Sequence, residues 1–380
     1  MTGAQRTGHR IVVALLVTSV TACSRAPRGA CVPDSPAGTV GTICGFANPE
    51  DVEPIPAFGI LLVSNMRHRP GSSGGYLAAL PLDTAAQSRG TPQRLWPTGA
   101  AAEDNGVDAA HPPAGDPRCV EPPAADVFAP HGITSAPTDA PGVRRIAAVG
   151  HGGRQAIELF DLDGAGGRAR LAWRGCVPLP PEIVGNDVSI APDGEIVVSN
   201  YMPSMEGMRS LYYTVKSGLG GNTGDVIAWR QGSGWRHVAG TAAPSPNGVL
   251  VSLDGAYIFY AETGSGQVAR VPRAGLSGNQ TPDHVTIGGN PDNLWLTAHG
   301  TILVATHTDG AKFLLCAFNR LPCRTGWSVF EIDPSTLRAT QLLHHDGSAV
   351  GAVASAAEVD GRLYFGAVFD DRIGVWRRPG

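Results

Sequence analysis

Short runs of alternating apolar and polar residues, broken by Asp-Gly turns, recur along this chain. The clearest reads Asn186-Asp187-Val188-Ser189-Ile190, a turn Ala191-Pro192-Asp193-Gly194, then Glu195-Ile196-Val197-Val198-Ser199-Asn200. Val188 and Ile190 share one face before the turn, and Ile196 and Val198 share one after it. That period of two around a hairpin turn is the pattern of paired strands. A second copy runs from Asn247-Gly248 through Asp254-Gly255 to Tyr257-Ile258-Phe259-Tyr260, and a third from Asp292-Asn293 through Gly300 to Ile302-Leu303-Val304. In all three the glycine lies eight residues after the first polar residue. Looser copies begin at Glu50-Asp51, His131-Gly132 and Val353-Ala354. The starts at 50, 131, 186, 247, 292 and 353 are separated by 81, 55, 61, 45 and 61 residues. A repeated unit too long for one hairpin predicts an all-β fold, a six-bladed β-propeller with four-stranded blades. Long apolar patterns of period 3.6 are absent, which argues against a helical or α/β fold.

Composition refines this picture at two points. The 380 residues are 42% hydrophobic and 16% charged with a net charge of -4, enough for a large core. The mild acidity and the lack of a Lys/Arg run argue against a nucleic-acid partner. Gly and Pro, 50 and 31 residues, make the chain turn-rich rather than disordered. At the N-terminus, Arg6, His9 and Arg10 precede the apolar run 11–17, and Val20-Thr21-Ala22 precedes Cys23. This resembles a bacterial lipoprotein signal covering 1–22, with lipid on Cys23. An ordinary secretory signal is the alternative. Either implies export to the cell envelope, with membrane contact only through an N-terminal anchor.

Seven cysteines less Cys23 leave six, an even set suited to an oxidising compartment. Cys316 and Cys323 are spaced to close one hairpin tip; Cys31–Cys44 and Cys119–Cys176 are two of the fifteen possible arrangements' pairs. Residues 23–45 read as a tether, 46–380 as the propeller, the Ala-, Pro- and Asp-rich stretch 81–126 as mostly loop, and 201–225 as another long loop. Asp161-Leu162-Asp163-Gly164 mimics a calcium loop, but Ala172 stands where a glutamate is needed, so it reads as a blade turn. Gly218-Leu219-Gly220-Gly221 lacks the lysine of a phosphate loop, and Gly71-Ser72-Ser73-Gly74 lacks the context of a nucleophilic serine.

In a propeller the innermost strands line a central channel, and their starts meet at one rim. The strand heads are therefore the residues expected to converge: Glu50-Asp51, His131, Asn186-Asp187, Asn247 and Asp292-Asn293, with Val353 as the apolar exception. This ring of carboxylate and amide oxygens suits a hard cation, calcium above all. The competing reading is that these side chains cap strand starts and turns.

The same residues resemble the paraoxonase/arylesterase family. The resemblance rests on Pro130-His131-Gly132-Ile133, Asn186-Asp187, Asn247-Gly248 and Asp292-Asn293, with the opening Glu50-Asp51 and the closing Gly366-Ala367-Val368-Phe369. It runs in order from about 44 to 376. The family comprises six-bladed, calcium-dependent lactonases related to gluconolactonases and strictosidine synthases. The resemblance implies two calcium ions: a catalytic one held by Glu50, Asn186, Asn247, Asp292 and Asn293, and a structural one held by Asp51, Asp187 and the Ile133 carbonyl. It makes His131 and His151 a catalytic dyad. Arg69, His307 and Val353 fall at substrate-wall positions, Arg69 where an aromatic is expected. The family's closing disulfide has no counterpart, since Val375 stands at the late position, so closure must rely on strand pairing.

These readings together predict an exported, calcium-dependent hydrolase of lactones or aryl esters acting on a small molecule. No feature points to a protein partner. A gluconolactonase- or strictosidine-synthase-like enzyme is the alternative on the same scaffold, and a non-catalytic envelope-binding propeller is the alternative of another class.

Overall fold

The computed structural model describes residues 29–66, 74–82, 91–98, 114–164, 169–278, 280–319 and 324–379. Cys23, Arg69 and Cys323 lie outside them, and with them the lipid anchor, one wall position and the Cys316–Cys323 pairing. The compact propeller unit begins at Cys31.

The strands form six four-stranded antiparallel sheets. Blade one holds β1, the segment Pro49–Ile55, followed by β2 (Ile60–Asn65), β3 (Tyr76–Pro81) and β4 (Gln93–Trp96). Blade two holds β5 (Pro130–Pro137), β6 (Val143–Gly150), β7 (Ala156–Asp163) and β8 (Arg170–Pro178). Blade three holds β9 (Gly185–Ile190), β10 (Ile196–Asn200), β11 (Asp225–Arg230) and β12 (Gly234–His237). Blade four holds β13 (Pro246–Val251), β14 (Tyr257–Glu262), β15 (Gln267–Pro272) and β16 (Asp283–Thr286). Blade five holds β17 (Asn290–Leu296), β18 (Ile302–His307), β19 (Trp327–Ile332) and β20 (Ala339–His345). Blade six holds β21 (Val353–Val359), β22 (Arg362–Ala367) and β23 (Arg372–Arg377). Its outermost strand, Gly41–Cys44, comes from the other end of the chain and pairs with β23, placing Gly41 opposite Val375. Each of the six sequence repeats is thus the inner hairpin of one blade.

Apolar side chains fill each seam between neighbouring blades. Trp96, Phe128, Phe160 and Trp173 pack between blades one and two. Ile43 and Val375 of the closing pair sit with Val52, Leu61 and Val63 between blades six and one. Alternation along each strand sends one side chain into each of its two seams, so blades stack without a separate central core.

Three expectations need correction. The tether ends earlier than residue 45, because Gly41–Cys44 is the closing strand; the Cys31–Cys44 disulfide clips the segment before it to that strand. The stretch 81–126 is not all loop: Gln93–Trp96 completes blade one, anchored by the fully buried Trp96, and the Cys119–Cys176 disulfide ties its end to blade two. Residues 201–225 contain a helix, α1 (Gly207–Gly218). Cys316 lies in the connection at the tip of the β18–β19 hairpin, as the spacing suggests, on a second helix, α2 (Gly310–Asn319). Both helices escaped notice because they are short; α1 also leaves Met208, Tyr212 and Val215 exposed, so its apolar spacing has no core behind it.

Candidate metal centre and histidine dyad

Every inner hairpin carries an irregularity at its head. The register slips between Pro49 and Asp51, Pro130 and Ile133, Gly185 and Val188, Pro246 and Val249, Pro291 and Leu294, and Val353 and Ser355. A bulge sets two consecutive residues against one and re-aims their side chains. The residues caught in these bulges are the polar strand heads of the sequence repeat.

The heads differ between odd and even blades. Blades one, three and five carry two oxygen-bearing residues each: Glu50-Asp51, Asn186-Asp187 and Asp292-Asn293. Blades two and four carry a single polar residue, an imidazole or an amide, followed by glycine: His131-Gly132 and Asn247-Gly248. The glycines make room. A Cβ on Gly132 would stand 2.3 Å from Asp187 Oδ1 and 2.6 Å from Asp187 Cα, and one on Gly248 would stand 2.5 Å from the Asp292 carbonyl oxygen.

The second residue of two odd blades ties neighbouring blades together. Asp51 accepts from the amides of Val52 and, on blade two, Ile133, both at 2.8 Å. Asp187 repeats this with Val188 and, on blade four, Val249, again at 2.8 Å. Their own amides donate to Ser64 and Ser199 at equivalent positions. The Ile133 group that meets Asp51 here is its N–H. Ser355 of blade six donates to the Glu50 carbonyl at 3.0 Å and also hydrogen-bonds Asp51.

Set against these satisfied groups, the first-rank ring is under-satisfied. Glu50 Oε2 and the amide oxygens of Asn186, Asn247 and Asn293 are buried without a hydrogen-bond partner. Asn293 Nδ2 donates to the other Glu50 oxygen, Oε1, at 2.8 Å. Asn200, at the end of β10, has a similarly unpartnered Oδ1 while its amide nitrogen donates to Asp225. Each buried oxygen left unpaired costs on the order of 1–3 kcal/mol. Four of the sequence-predicted ligands therefore share an unmet need.

Charge points the same way. Glu50, 1% exposed, is raised well above the usual carboxylate range by burial and then by the charges of Asp51, Asp292 and Asp187. Asp187 is raised by burial and by Asp51, and Asp51 is pushed up to about 7, chiefly by burial. Carboxylates crowded out of water demand either protons or a cation. Among the described residues no three His, Cys, Asp or Glu side chains gather as a metal-binding group by themselves. The oxygen set depends on amides, the donor chemistry of a hard cation rather than of zinc. Calcium fits it.

The dyad histidines meet beside this ring. His131 Nε2 lies 3.7 Å from Glu50 Oε1, and His131 Nδ1 lies 3.4 Å from His151 Nε2. His151 Nδ1 contacts Gln155 Oε1 at 2.9 Å. Burial, with His151 alongside, lowers His131 to about 3, opposed by a hydrogen bond with the Asn186 backbone; burial lowers His151 as well. Burial thus disfavours the charged form of both rings, and a general base acts from the neutral form.

On blade five, His307 Nε2 pairs with Asp292 Oδ2 at 2.8 Å, and its ring stacks on Phe313 of α2 with centroids 4.0 Å apart. Val353 is fully buried between blades five and six. The apolar surface near His307 is made instead by Ala352, Ala354 and Val368 with Met66, Phe313 and Phe369. Gln155 and Phe313 were missed in the sequence because neither stands in a repeated position; Ser355 holds the blade-six equivalent of Asp51, and was missed because the repeat there was read from Val353-Ala354.

An arylesterase family model matches residues 217–373, and no curated protein matches the chain. Among solved structures, a luciferin-regenerating enzyme superposes with a TM-score of 0.52 at 14% identity, covering 89% of this chain and 95% of that one. A gluconolactonase from Xanthomonas campestris gives 0.50 at 16% identity, covering 93% and 99%. A putative gluconolactonase gives 0.50 at 15%, covering 90% and 93%. At such identities the likeness is one of fold. The chain is a six-bladed propeller, and the arylesterase match falls on its C-terminal part, residues 217–373.

Proposed function

We propose that this protein is a calcium-dependent hydrolase of lactones or aryl esters. The observation carrying the proposal is the coincidence of four unpaired buried oxygens, on Glu50, Asn186, Asn247 and Asn293, with the paired rings of His131 and His151 beside them. Those four residues and Asp292 would hold the catalytic ion; Asp51, Asp187 and the Ile133 carbonyl would hold a second, structural one. Bound at the ring, calcium supplies a Lewis acid that polarises a carbonyl and stabilises the oxyanion.

The chain's own residues do the rest. His131, lying between Glu50 and His151, takes a proton from the attacking water, and His151 shares the resulting positive charge. Burial of the ring excludes bulk water and strengthens each electrostatic contact. The apolar residues around Phe313 and Phe369 offer a surface for the ring or acyl part of the substrate. The lipoprotein-type leader supports an exported, envelope-anchored enzyme, for which mass spectrometry of the mature N-terminus would show a diacylglyceryl cysteine.

A hydrolysis panel of lactones and aryl esters, with and without chelator, tests the activity. Turnover that disappears in Asn186→Ala supports the assignment. No turnover of any substrate by calcium-loaded protein favours a binding propeller instead.

A further inference from the structure

We propose that a cleft at the foot of blades three and four, on the rim opposite the oxygen ring, binds a small monocarboxylate through Arg230 and Arg236. The inference is independent of the metal centre and of the hydrolase reading. The hairpins headed by Asn186 and Asn247 turn back at Asp193-Gly194 and Asp254-Gly255, at their ends away from the ring. The cleft lies beside these turns and measures about 360 Å3. Glu195, Arg230, Arg236 and Arg273 line it, with glycine and alanine making up the rest of the wall. No bulky apolar side chain faces it, so charge and hydrogen bonds must hold whatever enters.

Arg273, just after β15, is enough to staple the two blades. Its Nη1 donates to Asp193 at 3.0 Å and to Glu195 at 2.9 Å, and its Nη2 to Asp193 at 2.9 Å. Its Nε donates to the Gly255 carbonyl at 2.6 Å, so every nitrogen is engaged. Arg230 and Arg236, on β11 and β12, are placed differently. Arg230 donates through Nη2, to Asp193 at 2.7 Å. Arg236 also donates through Nη2, to Glu195 at 3.1 Å and to the Arg273 carbonyl at 3.1 Å. The two side chains are 45% and 40% exposed. Among the described residues, nothing takes up the Nε–H or Nη1–H groups of either. Each guanidinium is thus pinned at one nitrogen while the rest of its donor fork stays open, as recognition of a carboxylate's two oxygens requires.

Charge selects a monoanion. Three guanidiniums face two carboxylates, which leaves one positive charge over. Asp193, which burial acts to raise, is held well below the usual carboxylate range by Arg230 and Arg273, so it keeps its charge. A monocarboxylate neutralises the cluster, whereas a phosphate dianion overshoots it.

The test is titration of 15N-arginine-labelled protein with sodium acetate, in calcium and again in chelator, following the Nε–H signals of Arg230 and Arg236. The expected result is a saturable shift of both signals, equal in calcium and in chelator, and weaker binding of phosphate and chloride. Arg230→Gln is expected to weaken acetate binding by about 10- to 100-fold, the scale of a hydrogen bond to a charged group. Arg230→Lys keeps the charge and loses the fork, so it too should bind more weakly than the wild type, and it serves if the glutamine variant does not fold. No saturable shift, or wild-type affinity in either variant, overturns the proposal. Phosphate binding as tightly as acetate overturns the choice of a carboxylate. Binding that disappears in chelator places the anion at the metal ring and overturns the site.

Discussion

Asn293 Nδ2 donates a 2.8 Å hydrogen bond to Glu50 Oε1, joining blade five to blade one across 243 positions of chain. Glu50 Oε2 and Asn293 Oδ1 both stay buried and unpaired. The bond orients the two free oxygens without satisfying them, as a ligand pair awaiting a cation requires.

Replacing that carboxylate separates metal binding from folding. Glu50→Gln removes a buried charge crowded by Asp51, Asp292 and Asp187. Without calcium the variant should melt at or above the wild-type temperature, since the repulsion is gone. Its calcium affinity should fall by at least ~10-fold. Calorimetric titration and thermal scans on the same samples check both halves.

The close approach of blades two and three makes Gly132 a sensitive position. Gly132→Ala forces a methyl group against Asp187, whose Oδ1 and Cα would lie 2.3 and 2.6 Å away. Overpacking of this kind costs about 1–3 kcal/mol, here paid in the Asp187–Val249 tie. Denaturant unfolding should show a lowered midpoint with an unchanged slope.

Stability of the calcium-free protein should fall as pH rises. Asp51, pushed up to about 7 from an ordinary value near 4, binds its proton more tightly when folded, and burial and neighbouring carboxylates act likewise on Glu50 and Asp187. Between pH 4 and 7 the folded state then holds more protons than the unfolded one, so the slope of stability with pH is negative. The contribution is full below about pH 4 and lost on passing about pH 7. Calcium should reverse the trend by replacing those protons. Melting in chelator at pH 5 and pH 8, then in calcium, reads the sign directly.

The closing strand has its own clip. Cys31 and Cys44 are 13 residues apart, and a crosslink closing a loop of that size contributes on the order of 3 kcal/mol. Cys31→Ala with Cys44→Ala should therefore lose about that much in equilibrium unfolding while β23 still pairs with Gly41–Cys44.

The blade count and the ring were legible because the features that build them are local. Asn186-Asp187, a period-two strand and an Asp-Gly turn fit in one window, and the window repeats. The bulges were not legible, since a slip such as Gly185 against Val188 depends on the partner strand. Closure by Gly41–Cys44 was hidden because that segment is four residues long and pairs with β23 at the opposite end of the chain. Gln155 was hidden because its place in the site rests on one contact with His151. Helix α2 hid behind the Cys316–Cys323 spacing, which suggested a turn.

The central claim is that the unpaired oxygens of Glu50, Asn186, Asn247 and Asn293 are calcium ligands that activity depends on. Its most direct test is calcium titration into chelator-stripped protein, verified metal-free by elemental analysis, with ester or lactone hydrolysis followed in the same samples. The account predicts saturable binding, hydrolysis that rises with occupancy, and loss of both in Asn293→Leu. Full hydrolysis by the metal-free protein, or no calcium uptake at all, would contradict it.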